Sequence, residues 1–346
     1  MSEGREKRSF RVAVLGATGL VGEVMFRVLE ERKFPVSELF PLASNRSLGK
    51  SIEFHGKRYP VLDVETFDFS KADIGLFSAG GEVSRIYAPK AAAAGCVVID
   101  NTSEFRYEPD IPLVVPEVNP ADVAKYKARG IIANPNCSTI QMVVALKPIY
   151  DAVGIERINV ATYQSVSGAG KEAVDELAEQ TVALMSGKGP VKPKVIAKQI
   201  AFNVVPQIDQ FMDNGYTKEE MKMLWETQKI FGDSSIRVNA TTVRVPVFFG
   251  HSAAVHLETR RKITAAEARK LLENAPGVTV LDERKPGGYP TAAVEAANRD
   301  TVYVGRIRED LSHDRGLNLW VVADNIRKGA ATNSVQIAEI LVRDYL

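Results

Sequence analysis

One of the chain's two cysteines stands where a helix is expected to begin. Asn134, Pro135 and Asn136 end a strand-like run, and an apolar stretch over residues 140–146 predicts a buried helix after Cys137. Unpaired amide groups and the positive end of the helix dipole favour a thiolate over a thiol at such a position. Cys137 is therefore a candidate nucleophile, and the alternative is that it packs as a small hydrophobic side chain.

Few side chains could exchange a proton near neutral pH, because the chain holds four histidines. His251 follows Gly250 at a bend after a strand that carries Arg244, so both side chains could reach one cleft. His251 is the candidate acid or base, and a structural role is the alternative. The other histidines occupy a polar loop, a mid-strand position and a polar turn: His55, His256 and His313.

A glycine-rich turn near the N-terminus predicts a phosphate-binding unit. A short apolar strand at 10–15 leads into the sequence GATGLVG at 16–22 and then into a helix-like stretch that runs to Leu29. The glycines permit a tight turn and close approach of the backbone, while the helix start faces a pyrophosphate. The motif alone is weak, because such turns also occur without a nucleotide. Its candidate cofactor-binding residues are Gly16, Thr18, Gly19, Leu20, Val21 and Gly22.

The next strand, at 38–43, ends without the carboxylate that holds the ribose hydroxyls in NAD sites. The sequence SNRSLGK follows instead. Arg46 with Ser44 and Ser47, and Lys50 as a further candidate, could bind a 2′-phosphate through charge-assisted hydrogen bonds. This pattern favours NADP over NAD as the cofactor, and the alternative is a solvated polar loop.

Strands and helices continue to alternate in this part of the chain. A strand at 72–77, a helix at 84–94 and a buried strand at 96–100 predict a parallel sheet covered by helices on both faces. Ser78 and Gly80 follow the first of these strands, where open α/β sheets bind ligands. The small residues there could admit the cofactor or form a plain turn.

The pattern changes after the Cys137 helix to longer strands and amphipathic helices. Alternating Val and Thr over 235–258, interrupted by Pro246 and Gly250, predict long antiparallel strands with a bend. The sequence thus predicts an α/β protein with an N-terminal Rossmann-like dinucleotide-binding domain and a second, α+β domain with a mainly antiparallel sheet. Other elements expected in the second half are a strand at 158–166, helices at 171–185 and 217–230, a loop at 186–193, a strand or buried helix entry at 318–323, and a helix from Asp324 to the C-terminus.

Length and composition limit the classes of protein. At 346 residues two domains are favoured over one, and 45% apolar with 25% charged residues is ordinary for a globular protein. A net charge of +1 gives no sign of nucleic acid or an acidic membrane as a partner. Two cysteines cannot form a disulfide framework, and Cys96 is expected in the core. The polar segment 1–10 and the lack of a long apolar stretch predict a cytoplasmic protein, and no metal site is expected.

Seven segments spread over nearly the whole chain together resemble the aspartate-semialdehyde dehydrogenase family. The ordered set is far more specific than any one member. The resemblance implies NADPH-dependent, reversible reduction of 4-phospho-L-aspartate to L-aspartate 4-semialdehyde and phosphate, within lysine, threonine, methionine, isoleucine and diaminopimelate biosynthesis. The segments are GATGLVG at 16–22, SNRSLGK at 44–50, NPNCST at 134–139, YQSVSGAGK at 163–171, EEMK at 219–222, RVPVFFGH at 244–251 and DNIRKGAATN at 324–333.

The resemblance also implies roles at the reacting centre. Cys137 corresponds to the nucleophile, Gln164 to its positioning partner and His251 to the acid/base. The chemistry agrees, because a thiolate that adds to an aldehyde gives a tetrahedral carbon able to lose a hydride, and phosphate can attack the resulting thioester. Further cofactor-binding positions implied in the second domain are Ser167, Gly168 and Asn325.

Charged side chains would meet the charges of the substrate. Planar, permanently charged guanidinium groups suit a phosphate and a carboxylate. The alternatives are solvated arginines, and glutamates that cap the helix at 217–230. The substrate-binding residues implied are Glu219 for the amine, with Glu220 as the alternative, Arg244 for the carboxylate, Arg106 and Lys222 for the phosphate, and Asn136.

The expected domains follow from the same resemblance. Residues 1–136 form the NADP-binding domain, onto which a C-terminal helix at 325–346 packs back. Residues 137–324 form the catalytic and dimerisation domain, and a homodimer or a dimer of dimers is implied.

Two alternatives stay open for the function. One is an enzyme like N-acetyl-γ-glutamyl-phosphate reductase, although Glu219 suits a free substrate amine better than an acetamide. The other is a non-catalytic nucleotide-binding homologue, which is expected to lack Cys137 or His251, and both residues are present.

Overall fold

The chain forms two compact units in the computed structural model, which describes residues 9–346. The first unit comprises the described residues up to Pro135 together with Ala330–Leu346, and the second comprises Asn136–Gly329. The predicted divisions, after residues 136 and 324, lie near these limits. Residues 1–8 of the polar segment 1–10, from which a cytoplasmic protein is expected, lie outside the described residues.

Strands and α-helices are numbered along the chain. The strands are β1 (Phe10–Leu15), β2 (Val36–Ala43), β3 (Ser51–Phe54), β4 (Lys57–Pro60), β5 (Leu62–Asp63), β6 (Ile74–Phe77), β7 (Val97–Asp100), β8 (Ile131–Ala133), β9 (Ile155–Gln164), β10 (Arg237–Arg244), β11 (His251–Thr259), β12 (Val278–Val280), β13 (Val302–Glu309) and β14 (Gly316–Ala323). The helices are α1 (Leu20–Glu31), α2 (Gly81–Ala93), α3 (Cys137–Val153), α4 (Lys171–Met185), α5 (Lys218–Phe231), α6 (Ala265–Glu273) and α7 (Thr332–Asp344).

A six-stranded parallel sheet forms the first unit, in the order β5-β2-β1-β6-β7-β8. Strands β6 and β7 are buried along their whole length, as expected for parallel strands covered on both faces. The order of the strands reverses between β1 and β6, which is where open α/β sheets bind ligands. Gly16 directly follows β1 and Ser78 directly follows β6, so both lie at the carboxyl ends of the two strands between which the order reverses. The Rossmann-like prediction for this part of the chain is confirmed.

The C-terminal helix belongs to this first unit. Val335 and Leu341 of α7 are fully buried in the same core as Val12 of β1 and Met25 of α1. The helix begins later than the sequence predicts, at Thr332 and not at Asp324. The Asp324 side chain instead accepts hydrogen bonds from the backbone amides of Ile326 and Arg327, and the turn continues as a short π-helical segment, Arg327–Ala331. No helix within residues 9–346 combines the length and apolar character needed to cross a bilayer.

A six-stranded mixed sheet forms the second unit, in the order β10-β9-β11-β14-β13-β12. The three central pairs are antiparallel, as predicted. Both edge pairs, β10 with β9 and β12 with β13, are parallel. The expectation of antiparallel strands over 235–258 is therefore right for β11 and wrong for β10. Helices α4 and α5 lie between β9 and β10 in the chain, and such a long crossover returns a strand in the parallel direction.

This pairing places the ends of β9, β10 and β14 and the start of β11 at one edge of the mixed sheet. Gln164, the last residue of β9, lies opposite Arg244, the last residue of β10. Strand β11 runs the other way and begins at the same edge with His251, which lies opposite Ala323 at the end of β14. Four strands thus contribute residues to one edge of the sheet.

Candidate active site

Cys137 is the first residue of α3, as predicted. Asn136 caps the helix, because its side-chain oxygen accepts hydrogen bonds from the amides of Ser138 and Thr139 at 2.9 and 3.2 Å. Cys137 is partly exposed, whereas Cys96 is buried and burial raises the pKa of its thiol to about 12. Of the two thiols, Cys137 is the one placed to react, and the prediction of Cys96 in the core is confirmed.

Two residues outside the predicted set of site residues, Gly329 and Glu226, contact the start of α3. A side chain at Gly329 would put its Cβ 2.7 Å from the Cβ of Cys137, so glycine leaves the space that the cysteine occupies. The fully buried Glu226 of α5 accepts a hydrogen bond of 2.6 Å from the backbone amide of Asn136. Both contacts join segments far apart in the chain, and neither leaves a local pattern in the sequence.

His251 is fully buried at the edge of the mixed sheet. Its Nδ1 accepts a hydrogen bond of 3.0 Å from the backbone amide of Ser165. Its Nε2 has no hydrogen-bond partner among the described residues. Burial, together with the charge of Arg244, lowers the pKa of His251 to about 3, so the ring is neutral at pH 7. The expected acid/base residue is therefore placed here as a neutral imidazole with one nitrogen unengaged.

Arg244 lies beside His251 in a space that Gly168 leaves open. A Cβ at Gly168 would lie 3.0 Å from Nη1 of Arg244 and 3.2 Å from Nε2 of His251. Arg244 is buried, which lowers the pKa of its guanidinium, and Nη1 donates to the carbonyl of Ser165 at 2.7 Å. The alternative that Arg244 is a solvated surface side chain is therefore wrong.

Glu219 connects the remaining groups of this unit. Its Oε1 accepts from the side-chain amides of Asn136 at 2.9 Å and Gln164 at 3.2 Å. Its Oε2 accepts from Lys222 at 3.0 Å, and Lys222 also donates to Asp209 at 2.8 Å. Burial opposes ionisation of Glu219, but the charge of Lys222 and the hydrogen bonds lower its pKa to about 2. The carboxylate is therefore an anion at neutral pH, while Glu219 in turn raises the pKa of Lys222 against its burial.

Glu220 has a different task from its neighbour. Thr217 and Glu220 form a capping box at the start of α5, with the amide of Thr217 donating to Oε2 of Glu220 at 2.8 Å. The other carboxylate oxygen accepts from the amide of Thr242 at 3.0 Å. Of the two candidates, Glu219 faces Asn136 and Gln164, and Glu220 caps the helix. The Thr-x-x-Glu spacing in the sequence carries that signal.

Ser167 and Asn325 are buried beside His251. The Asn325 side chain donates to the hydroxyl of Ser167 at 3.0 Å and accepts from the amide of Gly250 at 2.9 Å. These groups, expected at the cofactor, thus lie at the same edge of the sheet as His251.

The predicted nucleotide-binding residues lie together in the first unit. Gly16 has a φ of +91°, and a Cβ there would lie 2.6 Å from the carbonyl oxygen of Ser78. The hydroxyls of Thr18 and Ser47 are 3.1 Å apart, which joins the glycine turn to the loop after β2. Arg46 is exposed and forms no ion pair with any residue from 9 to 346. The other candidates occupy the turn before α1, its first residues, the loop after β2 and the start of α2: Gly19, Leu20, Val21, Gly22, Ser44 and Gly80.

Arg106 also belongs to the first unit. It is buried, and its guanidinium donates to the carbonyl oxygens of Asn134 at 2.9 Å and Asn101 at 2.8 Å. Because its guanidinium is buried and hydrogen-bonded to backbone carbonyls, Arg106 is not a solvated surface arginine.

Two family models match the chain along most of its length. Residues 11–126 match the model described as the semialdehyde dehydrogenase NAD binding domain, and residues 146–328 match its dimerisation domain. The fold and the site thus define an oxidoreductase of the semialdehyde dehydrogenase class, with a nicotinamide dinucleotide as cofactor.

Individual relatives narrow this class. An aspartate-semialdehyde dehydrogenase of Shewanella sp. (strain DB6705) is 64% identical over 98% of this chain and 99% of its own length. The crystal structure of aspartate semialdehyde dehydrogenase II from Vibrio cholerae complexed with ASA is 63% identical, with a TM-score of 0.96 over 98% of this chain and 100% of that one. A Candida albicans aspartate semialdehyde dehydrogenase with NADP is 27% identical, with a TM-score of 0.76 over 97% and 99%. This chain belongs to the aspartate-semialdehyde dehydrogenase family.

Proposed function

We propose that the protein catalyses the reversible, NADPH-dependent reduction of 4-phospho-L-aspartate to L-aspartate 4-semialdehyde and phosphate through a thioester on Cys137. The observation that carries this proposal is the position of Glu219. Its carboxylate accepts from Asn136, the residue before Cys137, and from Gln164 at the edge of the mixed sheet. The residue that precedes the partly exposed thiol thus contacts an anion that suits a substrate ammonium group.

The charges of the substrate have matching groups in the second unit. The ionised Glu219 is the partner of the ammonium group, and the buried guanidinium of Arg244 is the partner of the α-carboxylate. An acetylated amine carries no charge, so it would gain no ionic contact with the Glu219 carboxylate, whereas an ammonium group would. This favours aspartate semialdehyde over the acetylated glutamate analogue. Lys222 and the buried Arg106 are proposed as the phosphate ligands.

The side chains divide the chemistry as follows in the oxidative direction. The thiolate of Cys137 adds to the aldehyde carbon, and the oxygen that becomes negative accepts a hydrogen bond from Nε2 of His251. Gln164 holds the substrate beside the thiol. The tetrahedral carbon then loses its hydride and becomes the thioester carbonyl, and a dinucleotide held by the glycine turn and the loop after β2 would accept that hydride. Phosphate then attacks the thioester carbon, and the C–S bond breaks to give back the thiolate of Cys137 and release the acyl phosphate.

The loop after β2 supports NADP as the cofactor. A carboxylate there would repel a 2′-phosphate, and this loop carries Arg46, exposed and without an ion-pair partner among residues 9–346. The hydroxyl of Ser47 lies 3.1 Å from that of Thr18 in the glycine turn, so both binding segments belong to one surface. The Candida relative with NADP agrees with this proposal.

We also propose that the protein forms a homodimer or a dimer of dimers. The residues that match the dimerisation-domain model, 146–328, would form the dimer interface. A cytoplasmic location is proposed with it, because neither Cys96 nor Cys137 forms a disulfide, as is usual in a reducing compartment.

The test is a steady-state assay of the purified protein by nicotinamide absorbance. With NADP and phosphate, we expect turnover of L-aspartate 4-semialdehyde with a kcat/KM about 100-fold or more above that of N-acetyl-L-glutamate 5-semialdehyde. Turnover that does not depend on phosphate, or a preference for the acetylated substrate, would contradict the proposal.

A further inference from the structure

The peptide group of Ser165 lies between two of the groups proposed to act on the substrate. Its N–H donates to Nδ1 of His251 at 3.0 Å, and its C=O accepts from Nη1 of Arg244 at 2.7 Å. Ser165 directly follows Gln164, the last residue of β9. One peptide unit thus contacts the histidine and the arginine at the same time.

A backbone N–H can only donate, so the contact from Ser165 decides which ring nitrogen of His251 carries the proton. Nδ1 must present its lone pair to that N–H, and the single proton of the neutral ring is then on Nε2. Nε2 is the nitrogen that has no partner among residues 9–346, and it is fully buried. A buried donor without a partner is costly unless a ligand supplies the acceptor.

The hydroxyl of Ser165 ties this peptide to a buried hydrogen-bond network. Its Oγ lies 3.1 Å from the side-chain oxygen of Asn325, 3.1 Å from the hydroxyl of Ser167 and 3.0 Å from Nδ1 of His251. The same oxygen of Asn325 accepts from the amide of Gly250, the residue before His251. Asn325 therefore holds both the Ser165 loop and the start of the strand that carries His251.

We propose that Ser165 is a positioning residue that fixes His251 as the Nε2–H tautomer and fixes the direction of the Arg244 guanidinium. The inference rests on the proposed function, because it concerns how the same site is oriented. In this role Ser165 needs no contact of its own with the substrate. It acts through His251, which donates to the substrate oxygen, and through Arg244, which binds the carboxylate.

The kinetic test compares Ser165→Ala with Ser334→Ala. Ser334 is also fully buried, but its hydroxyl has no hydrogen-bond partner among the described residues and its loss removes no contact of the site. Ser165→Ala is expected to lower kcat by about 10- to 100-fold, because small misplacements of reacting groups have effects of that size. KM for aspartate semialdehyde should rise through Arg244, while KM for phosphate stays within about twofold, which corresponds to less than about 0.5 kcal/mol.

The spectroscopic test observes the tautomer directly by nitrogen NMR of histidine-labelled protein. The chain has four histidines, and His251→Asn identifies the signal of His251 by its loss. The wild type should show a protonated Nε2 and an unprotonated Nδ1 near neutral pH, with Arg244 and Glu219 as the charged groups that face the ring. Ser165→Ala keeps the backbone N–H but loses the hydroxyl that holds this peptide against Asn325 and Ser167. The signals should therefore change towards a mixture of tautomers, whereas Ser334→Ala should match the wild type.

The outcomes separate this inference from the proposed function. A wild type without phosphate-dependent activity would remove the function, whatever the NMR signals show. An active wild type with the proton on Nδ1 of His251 would overturn the inference alone. So would a folded Ser165→Ala that keeps its kcat and its KM for the semialdehyde within about twofold of the wild type, a difference under 0.5 kcal/mol.

Discussion

Arg244 lies directly opposite Gln164 at the ends of two parallel strands. The pairing is possible because α4 and α5 carry the chain back across the sheet between β9 and β10. In an antiparallel pair, the end of β10 would lie at the opposite edge from the end of β9. The parallel direction of β10 is thus what brings Arg244 to the edge where β11 begins with His251.

The space beside Cys137 gives the first prediction. Gly329→Ala would put a Cβ 2.7 Å from the Cβ of Cys137, so the start of α3 must shift. We expect kcat to fall by about 10-fold or more and the free energy of unfolding to fall by about 1–3 kcal/mol. Thermal unfolding and steady-state assays measure both. A variant with wild-type kcat would show that the thiol does not need this position.

Substitutions of the two neighbouring glutamates, Glu219 and Glu220, test which of them binds the substrate amine. Glu219→Gln removes the charge proposed to bind the ammonium group, and KM for aspartate semialdehyde should rise by about 10- to 100-fold. Glu220→Gln keeps one oxygen for the capping bond from Thr217 but loses the acceptor for the Thr242 amide, so its KM should be unchanged while its unfolding free energy falls by about 1–3 kcal/mol. Equal effects of the two substitutions on KM would rule out the assignment of Glu219.

Ionisation of Glu219 predicts how stability depends on pH. Its pKa is about 2 in the folded protein, below the ordinary value of about 4.3. The stability that it contributes is therefore fully present above the ordinary pKa and is lost as the pH falls towards the folded value. Melting temperatures recorded through that acid range should fall more steeply for the wild type than for Glu219→Gln. Parallel curves would mean that the carboxylate is not held as an anion.

Arg46 tests the choice of dinucleotide. Arg46→Ala removes the guanidinium proposed to bind the 2′-phosphate, and KM for NADPH should rise by about 10- to 100-fold. KM for NADH and for the semialdehyde should stay near the wild-type values, which makes NADH the internal control. An equal rise for both dinucleotides would place Arg46 outside the 2′-phosphate site.

Much of the site could be predicted because its signals are local. The break before Cys137, the GATGLVG turn and the missing carboxylate after β2 each lie within a few neighbouring residues. The family expected from the seven motifs is confirmed by the comparisons. Glu219 could also have been separated from Glu220, because the Thr217 capping box already accounts for Glu220.

The rest depends on contacts between distant segments. Gly329 against Cys137, Glu226 at the amide of Asn136 and Ser165 beside His251 have no local pattern. The direction of β10 was missed for a related reason, since alternation of side chains identifies a strand but not its partner or its direction.

The most direct test of the central claim is mass spectrometry of the enzyme after one turnover without phosphate. With NADP and aspartate semialdehyde, the reaction should stop at the thioester, and acid-quenched peptides should carry an aspartyl group on Cys137. Cys137→Ser, Ser334→Ala and the wild type are compared in parallel, and only the proteins with Cys137 should carry the thioester. An active wild type with no adduct, or with the adduct on another residue, would contradict the account.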